Sequence, residues 1–357
     1  MWGPQRLSTI VVLLGGLALT AVFVMTPPRE QQGPFTPRRD DEVVERVART
    51  PRLAAVPLDE AGAVTLATEL LAEASRTNDP RLVGRAQAAL GAWASSPEPS
   101  ASLRLVRARL AHQQGLLAHA LDELGGNDDV ASRELRAELL FSLGRYEASL
   151  AACTGVPSLA RCEAPARALL GTLDEAALSA DGSARALALL ARIKHWQGDD
   201  AASAKLLTRV LELEELPQAR AELAERLLEL QRGAEVPALF AGRALSDREL
   251  LALVIAGATE RAPELNARME ANRQRGDETV TREELCYALL VEHDVARALE
   301  GAQRNWSRSH EPEDARWLLE AAAAAKAPAA AQPALEWLAG VKLASPRLRA
   351  LAKELAP

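Results

Sequence analysis

Apolar residues recur along this chain at the spacing of helices that hide one face. The stretches Leu103–Gln113, Leu135–Leu143, Leu187–Trp196 and Leu223–Leu230 carry the pattern. Each ends at a turn before another stretch, such as Ala118–Leu124 or Ala202–Leu213. Ahead of them, Ala61–Arg76 and Pro80–Ala94 form a pair joined through Asn78-Asp79-Pro80. Beyond them the pattern predicts Asp247–Ala256, with Ser246 as N-cap, then Thr281–Leu290, Asp294–Ser307, Pro312–Ala327, Pro333–Ala339 and Pro346–Leu355.

A short motif recurs between the stretches: Gly, then Ala or Ser five positions on. It reads Gly115…Ala120, Gly144-Arg-Tyr-Glu-Ala-Ser149, Gly171…Ala176 and Gly198…Ser203, with a weaker copy at Gly233…Ala238. The glycines lie 29, 27, 27 and 35 residues apart. Glycine ends a helix by turning left-handed at low steric cost, and the small residue lets the next helix pack closely. One such hairpin cannot bury its own apolar face, so neighbours must stack. A plain bundle with Gly caps is the other reading.

The turn resembles the tetratricopeptide repeat, whose hairpin turn reads Gly-x-Tyr-x-x-Ala. Gly144, Tyr146 and Ser149 match best, and Leu187 to Leu213 follows the template, with Leu187, Leu190 and Ala191 at packing positions. The spacings of 27 and 29 fall short of the roughly 34 residues of that family, and Pro165 shortens one first helix. The resemblance implies an all-α fold: a right-handed α-solenoid over residues 58–357. Asn78-Asp79-Pro80-Arg81-Leu82 with Ala86 to Trp93, and Asn305-Trp306 … Glu311-Pro312-Glu313-Asp314-Ala315-Arg316, are similar to a family of bacterial envelope tetratricopeptide proteins. Members are often encoded near a permease of the hydrogenase/urease-accessory, nickel-transport type. The likeness runs from about Asp40 to the end and carries no catalytic motif.

Leu7–Val24 is eighteen residues without a charge, preceded by Arg6. Residues 1–25 therefore read as a signal anchor or a signal peptide. Bulky residues before Thr26-Pro27-Pro28 favour the uncleaved anchor. Residues 26–57 are a Pro-rich linker and a short helix. Either reading exports the chain: the expectation is one membrane contact through residues 7–24 and a soluble part in the periplasm.

Composition sharpens this. Of 357 residues, 72 are Ala and 59 Leu, and only 12 are aromatic. Ala and Leu favour helices, while strands favour β-branched and aromatic residues. With 48% hydrophobic residues and a net charge of −7, the chain is not disordered over most of its length, and it lacks the basic surface a nucleic-acid partner needs.

Candidate chemistry is sparse. Cys153 and Cys162 enclose eight residues, and an oxidising compartment permits a disulfide between them. Two small buried thiols at helix ends is the alternative. Cys286 is left over. The five histidines do not cluster, so no metal site is read from them. Phosphate loops, nucleophile elbows and His-Glu-x-x-His are missing. The pairs Asp128-Asp129 and Asp199-Asp200 sit at turns, where acids cap the following helix. The chain reads as a non-enzyme without a cofactor.

Function is then expected at the concave groove of the array. The template places Arg109, His112, Glu134, Glu138, Phe141, Arg192, His195 and Trp196 there. That row predicts a scaffold that binds a peptide or an integral membrane protein, the aromatics as anchors and the charges as register. Packing between hairpins is an equal reading for Phe141 and Trp196. The alternative function is an accessory protein that holds a metal ion or small solute in the groove.

Overall fold

The computed structural model describes residues 59–77, 80–155, 162–243, 245–274 and 282–355. The expected anchor at 1–25 and the linker at 26–57 lie outside these residues, as do Asn78 and Asp79. The described residues are all-α, with nineteen α-helices and no strand. Val56–Pro357 forms one compact unit, and no described helix is long and apolar enough to cross a membrane.

The helices follow one another as α1 (Glu60–Thr77), α2 (Pro80–Ala89), α3 (Ala101–Gln113), α4 (Leu117–Leu124), α5 (Val130–Ser142), α6 (Tyr146–Cys153), α7 (Glu163–Leu170), α8 (Glu175–Asp181), α9 (Ala184–Trp196), α10 (Asp200–Leu213) and α11 (Pro217–Glu229). Then come α12 (Val236–Phe240), α13 (Asp247–Ile255), α14 (Ala262–Gln274), α15 (Arg282–Leu290), α16 (Val295–Trp306), α17 (Pro312–Ala324), α18 (Pro328–Gly340) and α19 (Pro346–Glu354). Most helices pack against the next in the chain. The Gly171 copy departs from this: α7, eight residues with Pro165 third, packs chiefly on α6 and not on α8, and α8 packs chiefly on α9. Helix α14 lacks a clear apolar stripe and was not among the predicted elements. Pro333 lies inside α18, not at its start.

The turns explain the repeat. Gly115, Gly144, Gly171 and Gly198 all have φ between 70° and 84°. After each, the next N–H reaches back five residues, as in Arg145 N to Leu140 O at 2.8 Å and Asp199 N to Lys194 O at 2.8 Å. This arrangement satisfies carbonyls that the helix end leaves open. The fifth copy is different. Its left-handed residue is Gln231, φ 59°, and Gly233 opens a short 3-10 turn. His293 and Lys326 take the same conformation, so three turns are closed without glycine. Capping follows the predictions: Asp129 and Asp199 accept from Ser132 N and Ala202 N, and Ser246 with Glu249 forms a capping box.

The C-terminal helices return to the central hairpins. His310 N donates to Ser142 O at 2.7 Å, and Tyr146 Oη donates to His310 O at 2.7 Å. Lys342 N donates to Leu169 O at 2.7 Å, and Arg347 pairs with Asp200. A Cβ on Gly144 would lie 3.3 Å from His310 Cβ, and one on Gly171 would lie 3.0 Å from Lys342 Cβ. The scarce aromatics meet at this seam. Phe141 stacks on Trp196 at 5.7 Å, Tyr146 tilts against Phe141 at 5.5 Å, and Trp306 meets Trp337 edge-on at 5.9 Å.

Candidate functional site

A cavity of about 400 Å³ opens among α9, α10, α11, α13, α15 and α17. Three of these helices turn the same register toward it. On α11 it is Glu222, Glu225, Arg226 and Glu229; on α13, Arg248, Leu251, Ala252 and Ile255; on α17, Glu313, Arg316, Trp317 and Glu320. Residues at i, i+3, i+4 and i+7 share one helix face. On α11 and α17 that inward face is mostly charged, whereas a core face is ordinarily apolar; on α13 only Arg248 is charged. Five arginines and seven glutamates line the cavity, with an apolar wall that includes Leu251, Ile255, Leu290 and Trp317.

Isolated buried charge is costly, so most of these groups are paired. Arg248 grips both oxygens of Glu225 at 2.5 and 2.8 Å. Arg316 reaches Glu320 at 2.6 Å and also pairs with Glu229, and its guanidinium sits 4.9 Å from the Trp317 ring centre. Arg282 donates to Asp314 at 2.8 Å. Burial raises the Glu225 carboxyl, but Arg248 and then Arg226 outweigh it and hold the group at about 2.

Beside the cavity lies a second network. His195 Nδ1 donates to Asp200 Oδ1 at 2.6 Å, with both residues buried. Burial lowers the His195 pKa against the raising effect of Asp200, so the ring is neutral at pH 7. Burial alone would raise Asp200, but the hydrogen bond to His195 and the charges of Arg347 and Arg226 hold it well below the usual carboxylate range. Trp196 donates its indole N–H to Glu313 at 2.6 Å, and Glu313 also lies 3.9 Å from His195 Nε2.

The eight residues expected to line one groove fall into three places. Arg192 and His195 line the cavity. Phe141 and Trp196, 8% and 3% exposed, are core residues beneath the chain's own C-terminal helices. Glu134 and Glu138 are exposed on α5, with Arg109 and His112 partly exposed on α3, and His112 Nε2 is 4.0 Å from Glu138 Oε1. Cys153 and Cys162 are joined by a disulfide, with Cα atoms 6.1 Å apart. The Cys286 thiol lines the cavity, where burial pushes its pKa well up and keeps it protonated.

The remaining cavity residues carry no sequence motif, and a charged residue on a helix ordinarily faces solvent. The repeated i, i+3, i+4, i+7 spacing of charge on α11 and α17 was the available signal. Among the described residues no group of three or more His, Cys, Asp or Glu is placed to hold a metal ion. No protein-family model matches the chain, and no curated protein matches it in sequence.

Proposed function

We propose that this chain is a non-catalytic binding protein of the bacterial envelope, an α-solenoid of tetratricopeptide-like hairpins that takes a small ligand or a short peptide in its charged cavity. The observation that carries the reading is the cavity itself. Its volume of about 400 Å³ lies in the range of ligand sites, and it combines an apolar wall with convergent charged groups. The buried Ser203 hydroxyl on its lining has no partner within the protein, an arrangement that native interiors rarely leave standing. The uncharged stretch at residues 7–24 and the Cys153–Cys162 disulfide support an exported, membrane-attached location.

A photoreactive residue placed at Leu290, on the cavity lining and 42% exposed, tests this in cells carrying the full-length chain. Adducts of defined small mass at position 290, absent at position 116, which is 50% exposed, are expected. Equal labelling at the two positions would remove the cavity from consideration.

The scaffold reading retains one specific support. Arg109, His112, Glu134 and Glu138 stay accessible on α3 and α5, so a protein partner, including an integral membrane protein, would dock there. A protein-sized adduct at Glu138 would favour that reading over the first.

A further inference from the structure

The charges of the cavity do not balance, and the imbalance has a sign. Five arginines face seven glutamates on the lining, and the arginines also hold Asp200 and Asp314 just behind it. Arg248, Arg282 and Arg316 are each engaged by carboxylates at hydrogen-bond distance. Drawing one of them away to an anionic ligand would strand a buried carboxylate, which is strongly unfavourable.

Four carboxylates are left short of a cation, among them Glu313, which holds only the Trp196 indole N–H and lies 3.9 Å from the neutral His195. Glu283 has no ion-pair partner among the described residues. Glu222 has only Arg192 at 3.6 Å, and that arginine side chain is 46% exposed. Glu311 accepts a hydrogen bond from the Ser142 hydroxyl at 2.7 Å, and burial followed by the charge of Asp314 pushes its pKa upward. A positive group entering the cavity would relieve all four.

The unmet donors describe the rest of the ligand. Ser203 Oγ, Arg226 Nε and Arg282 Nε belong to lining residues and are buried without a hydrogen-bond partner. Each offers a hydrogen to a neutral acceptor such as an amide carbonyl. The wall of Leu251, Ile255, Leu290 and Trp317 suits an aliphatic or aromatic stem.

We infer that the cavity binds an organic cation, an ammonium or guanidinium group on an apolar stem with a carbonyl close by, the chemistry of a lysine or arginine residue within a short peptide. This rests on the reading of the cavity as a ligand site. A free amine shares the cationic part of that chemistry but lacks the carbonyl.

Calorimetric titration of the full-length chain with three probes tests the inference: acetyl-Leu-Arg-Leu-amide, acetyl-Leu-Glu-Leu-amide and phenylpropylamine. The arginine peptide should bind at least about tenfold more tightly than the glutamate peptide, as a charge-assisted contact warrants. Glu283→Gln, checked for unchanged thermal unfolding, should weaken it by a similar factor, with Glu283→Asp recovering part. Phenylpropylamine matching the arginine peptide would support the cation and assign the source to free amines. Tighter binding of the glutamate peptide would overturn the inference while leaving a ligand site in place. Failure of every probe at about 1 mM would also overturn it, and the labelling at position 290 then decides separately whether the cavity holds a ligand.

Discussion

His195 Nδ1 lies 2.6 Å from Asp200 Oδ1, across the Gly198 turn that joins α9 to α10. The same aspartate receives Arg347 from the C-terminal helix and lies 3.8 Å from Arg226 on α11. A turn acid of the α9–α10 hairpin thus ties that hairpin to α19. Asp200→Asn should cost about 1.5–3 kcal/mol, because it removes the charge that His195, Arg347 and Arg226 share, while Arg226 keeps Glu225 at 3.3 Å and Arg347 keeps Glu229 at 3.4 Å. Chemical denaturation measures this, and a cost under about 1 kcal/mol would mean the network is solvated.

The same pair sets a pH dependence. Burial depresses His195 below its ordinary 6.5, so the unfolded chain takes up a proton more readily than the folded one. The stabilisation is complete above the unfolded pKa and is lost as pH falls from about 6.5 toward the folded value. Asp200 is depressed too, so its share disappears only on further acidification, through the carboxylate range. Thermal unfolding followed from pH 7.5 down to about 5 should show a declining midpoint. In His195→Gln that decline should flatten.

Trp196→Ala should destabilise the fold by about 3–5 kcal/mol, as for other large core residues. The ring is 3% exposed, stacks on Phe141 and satisfies Glu313. A variant that keeps its stability but loses partner capture would instead support the role of a surface anchor.

Two glycines separate backbone strain from contact. Gly171 and Gly182 both have positive φ, but a Cβ on Gly171 meets Lys342 at 3.0 Å, whereas on Gly182 the nearest atom is 3.9 Å away. Gly182→Ala should cost about 1–2 kcal/mol from left-handed strain alone. Gly171→Ala should cost visibly more, because the link before α19 must shift. Equal costs in urea titrations would mean that this link is loosely seated. Conversely, Gln231→Gly, at a left-handed turn that lacks glycine, should gain up to about 1 kcal/mol.

Reduction of the Cys153–Cys162 bridge frees a loop whose ends are nine residues apart. The chain-entropy model assigns such a closure about 2–3 kcal/mol. Unfolding curves with and without reductant, compared with Cys162→Ser, measure it.

The sequence by itself determined the helices and their turns. Local rules govern both: apolar spacing selects the buried face, glycine supplies the left-handed residue, and Asp or Ser caps the next helix. Legibility failed where a turn is closed by Gln231, His293 or Lys326, because there the packed helices impose a conformation the residue disfavours. It failed again at Trp196 and Phe141. Their helical register is the same whether they line an open groove or sit under other helices, and only the return of residues 305–355 to Gly144, Gly171 and Gly198 decides between the two. The cavity is the clearest case. Glu225 and Arg248 lie 23 residues apart, and Arg316 and Glu229 lie 87 apart. A charged residue on a helix looks solvated until a partner from a distant helix makes its burial affordable, and that pairing exists only in three dimensions.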